Sequence, residues 1–194
     1  MPESNPDAVG LLSGRGYHPA RWFLRMTCEL TTEPSAVAVP AGIRIVTFTP
    51  ERSADARQVH DEAFRDHWGS TDSSEPGWDH FIGWPAFRPQ YSFLAYEADE
   101  PLGLVIGHDY DSYTKATGRR DLYIPTVGTR RTSRGRGVAT ALLATALRAA
   151  WADGFDASTL DVDADSPTGA GRIYERAGFT ARDRRITMVK DLTG

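Results

Sequence analysis

Residues 122–151 read LYIPTVGTRRTSRGRGVATALLATALRAAW, and the fold is decided by how this stretch is read. Leu122 to Val127 gather β-branched and aromatic residues and are closed by Gly128, as a buried strand would be. Thr129 to Gly137 hold no apolar residue and therefore face solvent or a ligand. From Val138 the apolar residues recur at Ala139, Leu142, Leu143, Ala146, Leu147 and Ala150, the spacing of one helix face, and Gly154 caps the run. Strand, glycine turn and helix N-terminus together suit an anion. The first helical amides lack internal partners, they carry the positive end of the macrodipole, and glycines admit a phosphate close to the backbone. Arg130, Arg131, Arg134 and Arg136 are expected to add side-chain charge; the competing reading is a solvated basic loop.

Two phosphate-binding motifs fail. No Gly-Lys-Ser/Thr follows the glycines, and Thr140 stands where a dinucleotide fingerprint needs its third small residue. Arg134-Gly135-Arg136-Gly137-Val138-Ala139, however, resembles the Arg/Gln-x-x-Gly-x-Gly/Ala signature of the GCN5-related N-acetyltransferases (GNAT family). The resemblance implies that Arg134, Gly135, Arg136, Gly137, Val138, Ala139 and Thr140 cradle the pyrophosphate of acetyl-coenzyme A. It also implies that backbone groups at Val127, Gly128 and Thr129 bond the pantetheine arm beside a bulge.

Composition sets the bounds. The chain has 194 residues, 25 % of them charged and 40 % hydrophobic, as in an ordinary globular domain. A net charge of -4 disfavours a nucleic-acid or anionic-membrane partner, so the arginine turn is a local feature. No run approaches the ~20 apolar residues of a membrane span, and Met1 to Gly10 has no basic start or apolar stretch, which predicts a cytoplasmic protein. A single cysteine, Cys28, excludes an internal disulfide, and five scattered histidines predict no metal site.

Along the chain, residues 1–10 are polar and read as disordered. Leu11 to Leu30 aligns without gaps on Ile173 to Leu192, pairing Gly16 with Gly178, Tyr17 with Phe179, Leu24 with Ile186 and Met26 with Met188. Residues 1–41 are thus an extension and linker, either a remnant of the last helix and strand of a preceding repeat or an accidental helix and strand. The first option resembles the junction of tandem acetyltransferases of actinobacteria. The apolar strand Trp22 to Cys28 must then pair with a sheet edge of its own domain or of a second copy, giving a homodimer. Thr31 to Ala41 is a linker.

The domain proper is expected over 42–194. It reads as a strand from Ile43, a helix from Glu51 to His67, a short helix near Trp78 to Ile82, and a hairpin of Tyr91 to Glu97 with Leu102 to Tyr110. A polar loop follows from Asp111 to Arg120, then the central strand and long helix, a parallel strand at Ala157 to Asp163, a helix from Pro167 to Arg176, and a last strand. This order resembles that of the family. It implies an α/β fold of GNAT type, a mixed, mostly antiparallel sheet with a central parallel β-α-β and a splayed strand pair.

Ser166 to Phe179 is a second family match, similar to Asn-x-x-Ala…Tyr-Glu-x-x-Gly-Phe. Ser166 stands where many members place a coenzyme-contacting Asn. Tyr174 matches the tyrosine that protonates the departing thiolate, or else is an interfacial aromatic. Aminolysis of a thioester also needs a group to take a proton from an ammonium. Candidates are Asp121, Tyr123, Asp161, Asp163, His60, Glu62 and His67, with Asp121 and His67 ranked first. Trp68, Trp78, Trp84 and Phe87 line an acceptor pocket or belong to the core. The reading is an N-acetyltransferase moving acetyl from acetyl-coenzyme A to a small-molecule or peptide amine by direct attack in a ternary complex, without metal. Cys28, outside 42–194, is not expected to carry the acyl group. The alternative is an acyl-coenzyme A sensor or scaffold without turnover.

Overall fold

The computed structural model describes residues 1–65, 67–68, 74–165 and 169–191. In chain order the elements are α1 (Pro6–Ser13), β1 (His18–Glu29), β2 (Ile43–Thr47), α2 (Ser53–Phe64), α3 (Glu75–Ile82), β3 (Phe93–Glu97) and β4 (Glu100–Asp109), followed by α4 (Asp111–Thr117), β5 (Asp121–Thr129), α5 (Val138–Ala152), β6 (Ala157–Asp163), α6 (Ala170–Arg176) and β7 (Thr180–Val189). The architecture is mixed α/β, mostly antiparallel with one parallel pair, as expected. Among the described residues, no helix is long and apolar enough to cross a membrane.

The anticipated order gains one element, α4, in place of the polar loop at Asp111 to Arg120. None of its residues is buried, so it has no apolar period to betray it, and it ends where Gly118 takes a left-handed φ of 72° and bonds back to Thr114 O. The expected start of the last helix at Pro167 lies outside the described residues.

The chain divides into two compact units, Glu29–Ser158 and Met1–Cys28 with Thr159–Gly194. In the larger, β2, β3, β4 and β5 are antiparallel neighbours in that order. One face of these strands builds a core of Phe48, Ala56, Val59, Trp78, Leu94, Tyr96, Leu104 and Ile106, which brings α2 and α3 onto it. α5 buries Val138, Leu142, Leu143 and Leu147, each worth ~1.5–3 kcal/mol. It approaches β4 so closely that a Cβ on Gly103 would lie 2.8 Å from Val138 Cγ1.

The register of β4 against β5 carries one irregularity. Ile106 faces Thr126 and His108 faces Tyr123, so between these pairs one residue of β4, Gly107, opposes two of β5, Ile124 and Pro125. The extra residue is a β-bulge, and it turns Tyr123 to the same face as Thr126, Ile106 and His108.

In the smaller unit β1 stands between β6 and β7. It pairs with β7 along its length, from His18 opposite Val189 to Thr27 opposite Thr180. Arg21 grips Asp163 with Nε at 3.0 Å from both carboxylate oxygens and Nη2 at 2.7 Å, and Arg25 grips Asp161 at 2.9 and 2.6 Å. The apolar strand therefore finds its cover within its own chain.

Residues 1–10 are ordered, against expectation. Asn5 caps α1 by accepting from the Ala8 amide at 3.1 Å, with Pro6 opening the helix. Ahead of it, Glu3 N donates to Arg184 O at 2.8 Å, Ile186 N donates to Met1 O at 2.9 Å, and Trp22 Nε1 donates to Glu3 Oε1 at 2.9 Å. The first residues thus cover the other edge of β7. Composition missed them because their partners lie some 180 positions away.

Candidate active site

The turn after β5 is shaped by two glycines. Gly135 and Gly137 hold φ of 75° and 82°, a region costly for side chains with a Cβ, and Gly137 is the N-cap of α5. Among the described residues, no side chain caps that helix end. The first-turn amides of Val138, Ala139 and Thr140 are therefore left without intrahelical partners, at the end carrying about half a positive charge. Val138 is buried, while Gly135 and Gly137 are exposed. At the end of β5 the Thr129 hydroxyl oxygen is buried with no hydrogen-bond partner among the described residues. Unpaired amides, an orphaned hydroxyl and glycines at the close approach fit a phosphorylated carrier.

The arginines contribute less than their number promised. Arg130 donates to Glu62 at 2.6 Å and to Glu100 at 2.7 Å, and Arg136 is paired with Glu97. That arginine holds the Glu97 carboxyl below the usual carboxylate range. Arg134 donates to the carbonyls of Ala63 at 3.0 Å and Thr129 at 3.4 Å. The side chains brace the turn against α2 and the β3–β4 hairpin, and the backbone is what remains for an anion. Sequence cannot reveal this, because the carboxylates come from three other segments.

Val127 and Gly128 lie opposite Val105 and Leu104. A Cβ on Gly128 would sit 3.0 Å from Ala63 Cβ and 3.2 Å from Phe64 Cε2, so the C-terminal end of α2 rests on this strand. Val127 through Thr140 form one run of chain in which Gly128, Ser133 and Val138 are buried. Ser166 lies outside the described residues. Tyr174 belongs to the smaller unit, on α6, where burial pushes its phenol up to about 12 and Phe179 packs edge-on at 6.1 Å. Cys28 is buried in the same unit, its thiol 3.7 Å from Ala177 O.

Asp121 opens β5 half-buried, and His67 follows α2 with Nδ1 3.2 Å from Trp68 O. Rings link their neighbourhoods. His67 meets Phe64 at 5.6 Å, Phe64 meets His60 at 5.1 Å, His60 meets Phe81 at 6.3 Å and Phe81 meets His108 at 5.5 Å. His108 then meets Tyr110 at 5.9 Å, and Tyr110 meets Tyr123 at 6.1 Å. This strip runs from beside Gly128 to the residue two after Asp121.

The tryptophans divide. Trp78 is core, its indole N–H held by Ser53 Oγ at 2.9 Å, and Phe87 is half-buried against Phe48, whereas Trp68 and Trp84 are exposed. Sequence reasoning missed His108, Tyr110 and Phe81. One signal was available for His108: it continues the core-facing alternation of Leu104 and Ile106. Burial and the nearby Arg88 push its pKa down to about 4, so the imidazole is neutral at pH 7.

Known proteins resemble this chain in sequence and in fold. The chain is 32 % identical over 186 residues to a mycothiol acetyltransferase of Thermobispora bispora, covering 90 % of this chain and 59 % of that protein. It is 30 % identical over 184 residues to the mycothiol acetyltransferase of Catenulispora acidiphila, covering 93 % and 57 %. The chain thus spans less than two thirds of the length of these relatives. The crystal structure of a GCN5-related N-acetyltransferase from Sphaerobacter thermophilus superposes with a TM-score of 0.77 at 29 % identity, over 97 % of this chain and 57 % of that one. The family model of the acetyltransferase (GNAT) family matches residues 54–179, and with most of the chain inside that match, the chain belongs to the GNAT family of acetyltransferases.

Proposed function

We propose that this chain transfers an acetyl group from acetyl-coenzyme A to a primary amine by direct attack in a ternary complex. The observation that carries the reading is the uncapped N-terminus of α5 behind Gly135 and Gly137. The backbone from Gly135 to Thr140 holds the pyrophosphate. Val127, Gly128 and the Thr129 hydroxyl line the pantetheine path, and Ser166 adds a further contact. Acetyl-coenzyme A supplies an activated thioester.

The amine nitrogen forms a bond to the carbonyl carbon as the carbon–sulfur bond breaks. An amide N–H near Val127 faces the charge that builds on the carbonyl oxygen. His67, which follows α2 near the Gly128 end of β5, receives the ammonium proton, with Asp121, roughly 20 Å along the strand from Val127, acting only through a relay. Tyr174, neutral through the physiological range, returns one to the thiolate. The aromatic strip beside β5 receives the acceptor's body, which favours an amine with an apolar or ring-stacking portion.

Release of free thiol from acetyl-coenzyme A with a panel of primary amines tests the reaction. Protection against melting by acetyl-coenzyme A without thiol release from any amine would mean a binding domain without turnover. Within the extension and linker of residues 1–41, Leu11 to Leu30 are read as a remnant of the last helix and strand of a preceding repeat. A left-handed glycine, Gly16 with φ of 82° and Gly178 with φ of 93°, stands between each of α1 and α6 and the strand that follows it.

A further inference from the structure

We propose that His108 selects the acceptor: its neutral imidazole hydrogen-bonds, through Nε2, a hydroxyl carried at the far end of the amine substrate. The inference rests on the acetyl transfer proposed above and names the acceptor's chemistry. His108 is 3 % exposed, and its Nε2 has no hydrogen-bond partner among the described residues. The other nitrogen, Nδ1, lies 3.3 Å from the Tyr110 hydroxyl. A buried polar atom without a protein partner destabilises a fold, so Nε2 takes a water or a ligand group as its partner, and the proposal assigns it the ligand. Burial and Arg88 keep the ring uncharged, which suits a hydroxyl, able to donate or accept, better than a carboxylate.

Placement gives the group its role. His108 faces Tyr123 across the bulge, on the same side of the strands as Thr126. Tyr123 and Val127 are four residues apart on β5, roughly 13 Å of strand less the slack of the bulge. An amine reacting near Val127 therefore reaches His108 only with a body of several atoms, lying along the rings of Phe64, Phe81 and Tyr123. His108 touches the substrate at a distance from the reacting atoms, so its effect falls on acceptor choice rather than on coenzyme binding.

Tyramine and 2-phenylethylamine differ by one terminal hydroxyl and serve as the probes. In the wild type, kcat/KM for tyramine should exceed that for 2-phenylethylamine by about tenfold or more. His108→Phe should bring the ratio to about one, with the KM for acetyl-coenzyme A unchanged, and His108→Gln should restore part of the preference. His108→Phe should also melt within a few degrees of the wild-type temperature, since it removes a buried nitrogen with no partner among the described residues together with the Nδ1–Tyr110 contact. Three results would overturn the assignment. They are an unchanged ratio in His108→Phe, a wild type neither turning over nor stabilised more by tyramine than by 2-phenylethylamine, and a melting temperature of His108→Phe several degrees below wild type, which would make the ring structural. A wild type whose melting acetyl-coenzyme A leaves unmoved would instead overturn the acetyl-transfer reading, and the melting comparison of His108→Phe needs neither substrate.

Discussion

His108 shows how a single buried base writes itself into stability. An unfolded histidine titrates near 6.5, and burial beside Arg88 lowers the folded value to about 4. The folded-state pKa is depressed, so the unfolded chain takes up the proton first. Stability is full above pH 6.5 and is lost as the pH falls from there toward 4, by up to ~3 kcal/mol for a shift of that size. Urea denaturation at pH 7 and pH 5 should show this loss in the wild type and a smaller one in His108→Phe; equal losses would place the titrating group elsewhere. Tyr174 is shifted the other way. With its phenol pushed up to about 12, it stays protonated through pH 10, so the pH profile of thiol release should lack an alkaline limb near 10. Tyr174→Phe should lower turnover about a hundredfold while protection by acetyl-coenzyme A persists.

The N-terminal turn of α5 is the element proposed to hold the acyl donor. Gly137→Val places a β-branched side chain at φ of 82° and brings Pro40, already 3.5 Å from the Cβ position, into contact. Acetyl-coenzyme A should then no longer raise the melting temperature, although the protein still melts cooperatively. Gly103→Ala addresses the same helix from below. Its Cβ would meet Val138 Cγ1 at 2.8 Å and the Gly128 carbonyl oxygen at 3.0 Å, so α5 must shift, at a cost of about 1–3 kcal/mol by chemical denaturation. Because β4 and α5 are packed this tightly, the amides of the turn are held in place before any ligand arrives.

For the whole molecule, the first 29 residues are part of the fold. They supply β1 between β6 and β7 and the short stretch along the other edge of β7. Deleting them would leave β7 without its partners on both sides, and light scattering should then find association or aggregation where the intact chain gives a smaller particle. A monodisperse, equally stable truncated chain would contradict this. Much of the fold was legible in sequence, since strands at Ile43, Phe93 and Asp121 and the helix from Val138 follow from local period and punctuation. The turn from Thr129 to Gly137 was legible for the same reason, being one contiguous run whose glycines announce their own backbone conformation. The order at residues 1–10, the carboxylates that occupy Arg130 and Arg136, and the burial of His108 were not, because each depends on segments distant in the chain. Sequence by itself determined most of the elements, their order and the glycine turn before α5, which are short-range consequences of side-chain size and periodicity. Only the tertiary structure decided which charges are already paired and which buried nitrogen is left without a partner, because burial and pairing are properties of neighbours that the chain's order does not name.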